Sequence, residues 1–267
     1  MFSKNNYFFI SNLDRKFMEC NIFTRLKSGG ICVMNINIKA IQFTGLLYIL
    51  LLVVLLGIFP PGAPGLPDGY VTPVIAFEFA RTPEDVRAIF DITPADAREA
   101  YIEKMDRGNR LDFAFMVVYS LFLFLFSIKC YEAKGSKILL MGAFFSVSAL
   151  AGDIIENIQL LGITENLAVG TFQGHLYLLH IFTWIKWMSI CLVFAVLSLY
   201  FYSGTVFSKI LSLFGVLALA AGIAAFFMGP VMKEVLAIVV GLDFFLLTAY
   251  SFVYRKGFPE GRVQAGS

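Results

Sequence analysis

The chain has 267 residues, of which 58% are hydrophobic and only 15% are charged, and its mean hydropathy is +0.77. Soluble domains carry about 25% charged residues, so this composition excludes an ordinary soluble fold and favours a membrane protein. The net charge is only +2, and no basic patch alternates with aromatic residues. We therefore expect no nucleic-acid partner.

Six apolar runs are long enough to cross a bilayer as helices. The first has nineteen residues, which reach roughly 28 Å in a helix and so match the hydrocarbon thickness. The runs are 41–59, 111–128, 138–161, 176–200, 210–227 and 235–253. They predict an all-α fold, a polytopic transmembrane bundle of about six spans.

These runs divide the chain into five parts. We predict an N-terminal tail over 1–38, a first transmembrane anchor over 39–59, an extracytoplasmic segment over 60–110, a five-helix bundle over 111–254 and a C-terminal tail over 255–267. Translation starting at Met34 is an alternative for the tail. A signal peptide is an alternative for the first run, but its length and the lack of a small-x-small cleavage site favour an uncleaved anchor.

Two helix start signals stand in the segment 60–110, after a linker rich in proline and glycine. Threonine, proline and an acid recur at 82–85 and at 93–96, in an order that suits the N-cap, N1 and N3 positions. They predict short helices over 83–91 and 94–107. We expect the apolar faces of these two helices to pack on the bundle or the lipid interface. The faces are formed by residues 86, 89 and 90 in the first helix and 97, 101 and 105 in the second. A lid over a site is the alternative.

Basic residues in the short loops indicate an orientation. On one side lie Lys129, Lys134, Lys137, Lys209, Arg255, Lys256 and Arg262. On the other side, the long segment has six basic residues outweighed by nine acidic ones. The positive-inside rule then predicts both termini in the cytoplasm, in a bacterial cytoplasmic membrane, with 60–110 outside.

The fifth run is rich in small residues. Ala218 and Gly222 are four residues apart, and so are Ala221 and Ala225, which favours close contact with another helix. The four cysteines have no metal-ligand spacing, so we expect free thiols rather than a disulfide framework.

Ionisable residues interrupt the apolar runs at similar depth. Asp153, Glu156 and Asn157 are spaced i, i+3, i+4 and share one helix face. Lys186 lies about ten residues inside its span, Asp243 about eight, and Asp112 near the end of the second span. Such residues usually face a bundle interior or a cavity, so these six form the candidate polar cavity.

Three interpretations of this cavity stay open. It binds or conducts a proton, a small solute or a lipid headgroup. Alternatively, it is the site of a membrane-embedded enzyme that modifies a lipid, with Glu156 or Asp153 as acid or base, and with His180 assisting and Trp184 nearby. In the third interpretation the polar residues only hold the bundle together, Lys186 pairing with Asp153 or Glu156.

No cofactor and no metal site are predicted, and the catalytic residues of an enzyme are not identified. His175 and His180 are five residues apart, about 140° around a helix, so they form no two-ligand face. The expected partners are membrane lipids and a small-molecule or proton ligand, and the sequence does not specify an oligomeric state.

Three motifs carry a resemblance. They are Leu-Asp-Phe at 111–113, Ala-Gly-Asp-Ile-Ile-Glu-Asn at 151–157, and the span that holds Lys186. Over about residues 75–200 the chain resembles a group of small bacterial multi-pass membrane proteins that share a D-x-x-E-N helix. The resemblance implies the membrane fold and no activity.

Overall fold

The structure is a computed structural model that describes residues 23–28 and 31–253. A short antiparallel hairpin precedes eight α-helices in this part of the chain. The strands are β1 (Phe23–Ser28) and β2 (Ile31–Ile36), and the helices are α1 (Ile38–Ile58), α2 (Pro73–Glu78), α3 (Pro83–Phe90), α4 (Ala95–Lys134), α5 (Leu140–Glu165), α6 (Gln173–Phe201), α7 (Val206–Phe227) and α8 (Pro230–Val253).

Six of these helices, α1 and α4 to α8, are long and apolar enough to cross a membrane. Large apolar side chains are exposed along their outer faces, as they are where a helix faces lipid. The prediction of an all-α, six-span transmembrane bundle is confirmed. We therefore describe the chain as an integral membrane protein.

The second span begins much earlier than its apolar run. The predicted helix over 94–107 is not separate, because α4 continues without a break through 40 residues. Gly108, which could have ended a helix, instead lies against the ring of Phe59, where there is no room for a Cβ atom. The N-cap of α4 is Pro94, not Thr93.

The predicted N-terminal tail contains regular structure next to the first span. β1 and β2 pair in antiparallel register from Phe23 opposite Ile36 to Ser28 opposite Ile31. The N–H of Ile36 donates to Oε1 of Glu132 at 2.9 Å, which fastens the hairpin to α4. Residues 1–22 of that tail and the predicted C-terminal tail over 255–267 lie outside the described residues.

The six long helices form a closed ring. Each contacts the next along the chain, and α8 returns to α1. There the amide of Gln42 donates to the carbonyl of Ser251 at 2.8 Å, and Gly45 lies against Thr248. Helix α6 also contacts α4 and α8, which makes it the most buried of the six.

The predicted close contact of the small residues is confirmed, and so are two free thiols. Ala218, Ala221 and Ala225 are buried, and Gly222 approaches Cys191 of α6. Cys191 and Cys130 are buried and unbonded.

The bundle has two distinct ends. Residues 59–94 and the turns at 166–172 and 228–229 lie at one, which we call the segment end. The hairpin and Val253 lie at the other.

The segment 59–94 packs onto the bundle at the segment end. Thr82 and Asp85 take the predicted N-cap and N3 positions of α3 and form a capping box there. Val86, Ile89 and Phe90 are buried against the bundle, as expected. In the apolar face predicted for the helix over 94–107, Tyr101 and Met105 are buried, but residue 97 is exposed. Helix α2 was not predicted, and it contacts α5, α6 and α8.

Candidate functional site

A single lysine lies among three carboxylates in the bundle. Nζ of Lys186 is 2.6 Å from Oε1 of Glu156, 3.0 Å from Oε2 of Glu78 and 3.4 Å from Oδ1 of Asp153. Lys186 belongs to α6, and Asp153 and Glu156 belong to α5. Glu78 is the last residue of α2. We call these four residues the charge cluster.

The charge cluster is buried inside the protein, and only Glu78 is partly exposed. Relative exposure is 0% for Glu156, 3% for Asp153 and 6% for Lys186, and the side chain of Glu78 is 12% exposed. Charged groups this deeply buried need partners, because removing an ion from water costs several kcal/mol. Neither bulk water nor lipid reaches three of the four side chains.

Helix α5 supplies two acids because of its periodicity and its close approach to α6. Asp153 and Glu156 lie one turn apart on the same face. Just before them, a Cβ atom on Gly152 would lie 2.9 Å from the backbone nitrogen of Lys186 and 3.2 Å from the carbonyl oxygen of Phe182. Glycine therefore lets the two backbones approach until both acids reach the lysine.

Helix α6 holds Glu78 with three side chains that are spaced i, i+3, i+4 and so share one helix face. The hydroxyl of Thr183 donates to the backbone carbonyl of Glu78 at 3.0 Å, and the indole N–H of Trp187 donates to Oε2 of Glu78 at 3.0 Å. Lys186, between them, supplies the charge. This triplet fastens the end of α2 to the middle of α6.

Two carboxylate oxygens in the charge cluster differ from the others. Oδ2 of Asp153 accepts a hydrogen bond from the hydroxyl of Tyr119 at 2.6 Å. Oδ1 of Asp153 and Oε2 of Glu156, however, are buried without a hydrogen-bond donor among the described residues. Oδ1 of Asp153 lies 3.4 Å from the ammonium of Lys186, whereas Oε2 of Glu156 has no hydrogen-bond partner in the described structure.

A neutral amide connects the charge cluster to a fourth acid. Asn157, which follows Glu156, donates from Nδ2 to Oδ2 of Asp112 at 2.8 Å and to the carbonyl of Asn109 at 3.1 Å. Both acceptors belong to α4. Asp112 and Asn157 therefore lie beside the charge cluster and link α4 to α5.

The remaining predicted site residues lie elsewhere. Asp243 is buried on α8, where its Oδ2 has no hydrogen-bond partner in the described part of the chain, and it forms no ion pair with Lys186. His180 lines a surface cleft together with Arg81. It makes no hydrogen bond to Asp153 or Glu156 of the charge cluster. Trp184 packs between Phe79 and Phe226.

The structure thus brings together part of the predicted set. Asp153, Glu156 and Lys186 meet, Asp112 and Asn157 adjoin them, and Asp243 does not join. Sequence reasoning missed Glu78, Tyr119 and Trp187. Tyr119 follows Asp112 by seven residues and so shares its helix face, which was a usable signal, but nothing in the sequence around Glu78 indicated that it returns into the bundle.

Metal ligation has no ready geometry here. No group of three or more His, Cys, Asp or Glu residues within 23–28 and 31–253 is arranged to hold a metal ion. The ammonium of Lys186 occupies the centre of the acidic group, where a cation would otherwise sit.

No known protein family, curated protein or solved structure matches this chain. The resemblance to small bacterial membrane proteins with a D-x-x-E-N helix therefore stays a prediction.

Proposed function

We propose that this integral membrane protein binds an exchangeable proton in the charge cluster. The observation that carries the proposal is the imbalance of three carboxyl groups around one ammonium, in a site that is almost entirely buried. Uptake and release of this proton would be the elementary step of a proton-coupled membrane function.

Charge balance supports a bound proton. An ion pair at 4 Å is worth about 4 kcal/mol at an effective dielectric constant of about 20, and burial costs each ion several kcal/mol. One ammonium can offset the burial of about one carboxylate. If all three carboxyls were ionised, the site would hold a formal charge of −2 with no second cation among the described residues.

Glu156 is the best candidate for the proton-binding group. Its Oε1 faces Lys186, while its buried Oε2 has no donor in the described structure, an environment that suits a neutral carboxyl group better than a bare charge. Glu78 offers a route. Its side chain is 12% exposed against 1% for that of Glu156, and it connects through α2 to the segment end.

Infrared difference spectroscopy of the reconstituted protein between acidic and alkaline pH tests this function. We expect a carbonyl band from a protonated, buried carboxyl group that changes with pH and disappears in Glu156→Gln. The matched control is Glu165→Gln, because Glu165 lies on the same helix but is exposed. A band that is equally present in both variants, or the absence of any pH-dependent band, would refute the proposal.

The burial of the charge cluster weighs against the alternative of a lipid-modifying enzyme, because such an enzyme needs an opening to lipid.

The purely structural interpretation stays open. Under that interpretation, Glu156→Gln would change no infrared band and would only lower the stability of the protein.

We also propose a bacterial cytoplasmic membrane as the location, with both termini cytoplasmic and the segment end outside. The distribution of basic residues in short loops supports this orientation. Labelling of single cysteines introduced at Gly135 and Gly170 by an impermeant maleimide in intact cells checks it, and only position 170 should react.

A further inference from the structure

A second cationic site lies at the segment end. A cleft of about 270 Å³ opens between residues 67–85 and the turn that joins α7 to α8. Its walls include Tyr70, Phe79, Arg81, Phe226 and Lys233. None of these residues belongs to the charge cluster.

Lys233 is a buried cation without a counter-ion. It is only 7% exposed, and its Nζ donates to the hydroxyl of Tyr70 at 2.8 Å. The ammonium also lies 5.0 Å from the ring centroid of Phe79 and 5.4 Å from that of Tyr70. Cation–π contacts offset only part of the burial, and no carboxylate within the described ranges lies within ion-pair distance.

Two acids beside the cleft are engaged with backbone groups. Glu234 accepts hydrogen bonds from the N–H groups of Val71 and Thr72 and from the hydroxyl of Thr72. Asp85 also lines the cleft, but its Oδ2 accepts the N–H groups of Arg81 and Thr82. Neither carboxylate forms an ion pair with Lys233, although the charge of Asp85 does favour the ammonium electrostatically.

Two further donors point to an anionic ligand. Arg81 is exposed at the cleft and forms no ion pair with any described residue. Burial raises the pKa of the Tyr70 hydroxyl, so this group stays protonated. Its oxygen accepts from Lys233, which leaves its own hydrogen available to donate to an anion.

The rim of the cleft is apolar on the side of α7. Phe227 is 80% exposed, Met228 58% and Phe226 48%, at the end of a membrane-spanning helix. Aromatic and apolar groups at this level suit the glycerol and upper acyl region of a lipid rather than water.

We propose that this cleft binds the phosphate of an anionic phospholipid headgroup. Lys233, Arg81 and the hydroxyl of Tyr70 donate to the phosphate oxygens, and Phe226, Phe227 and Met228 contact the attached chains. A phosphate supplies the counter-ion that Lys233 lacks. The site is independent of the proton proposed at Glu156, and either can fail without the other.

Titration of the detergent-solubilised full chain with short-chain phosphatidylglycerol tests the site. The combined emission of Trp184 and Trp187, which both pack on Phe79 of the cleft, serves as the readout. We expect saturable binding that Lys233→Met weakens about tenfold, the loss of one charged hydrogen bond. Lys104→Met is the matched control, since Lys104 is exposed at the same end.

Tyr70→Phe keeps the ring and removes only the donor, so it should also weaken binding, by about threefold or more. This second variant keeps the test valid if Lys233→Met fails to fold. Equal affinity in wild type, Lys233→Met and Tyr70→Phe would overturn the proposal. So would inorganic phosphate that binds as tightly as the lipid, since the site would then be one for free phosphate.

Discussion

Lys186 is the residue on which the charge balance of the interior depends. It is the partner of three carboxyl groups, of which the sequence predicted Asp153 and Glu156 but not Glu78. A simple pair could be replaced by two neutral residues at little cost. With three acids, removing the lysine and one acid still leaves two acids without a cation.

Lys186→Met should therefore lower the free energy of unfolding by about 3–5 kcal/mol at neutral pH, because it leaves buried carboxylates unpaired. The loss should shrink as the pH falls, since protonated carboxyl groups need no cation. Adding Asp153→Asn should restore only part of the stability. Thermal unfolding in detergent across a pH series measures all three effects.

The control for this series is Lys104→Met, which removes an exposed lysine from α4 and should change stability by no more than about 0.5 kcal/mol. Full recovery in the double variant would mean that Glu78 and Glu156 do not depend on Lys186.

At the scale of elements, the contact of α5 with α6 builds the charge cluster. The backbones of the two helices lie close together at Gly152, one residue before Asp153. Two of the three nearest atoms there belong to the backbone of α6, which cannot rotate away as a flexible side chain would. Because Gly152 has no side chain, the two helices can lie this close together. This short separation lets both acids reach Lys186.

Gly152→Ala should push α5 from α6 and cost about 1–3 kcal/mol, as overpacking does, although alanine is the better helix former. Gly241→Ala is the control, because Gly241 lies within α8 with nothing within 4 Å of a new Cβ atom. That variant should be neutral or stabilising by up to about 1 kcal/mol. Comparable thermal stability of the two variants in detergent would contradict the close approach.

At the scale of the whole molecule, the segment 59–94 is fastened to the bundle at two separate points. Glu78 binds Lys186 of α6, and Glu234 of α8 accepts three hydrogen bonds from residues 71 and 72. An apolar layer that includes Phe77 and Phe90 fills the space between the segment and the long helices. The segment is thus an integral part of the bundle and covers its interior at this end.

Glu234→Ala should release one of these attachments and cost about 1–3 kcal/mol, because it leaves three donors without their acceptor. Hydrogen–deuterium exchange should quicken in residues 70–80 and stay unchanged at the hairpin end of the bundle. Glu84→Ala is the control, since its pair with Arg87 is exposed and worth no more than about 1 kcal/mol. Unchanged exchange in residues 70–80 would show that the contacts of Glu78 and the apolar layer hold the segment without Glu234.

The sequence by itself determined the six spans, the cap of α3, the small-residue contact of α7 and the shared face of Asp153, Glu156 and Asn157. These features are local, because apolar run length, capping residues and the 3.6-residue period act within one helix. Only the tertiary structure decided which acids meet Lys186. Counting residues gives the depth of Asp243, but its position in the ring and the rotation of α8 depend on packing. Glu78 reaches Lys186 only because residues 59–94 fold back onto the bundle, through contacts with residues more than a hundred positions away.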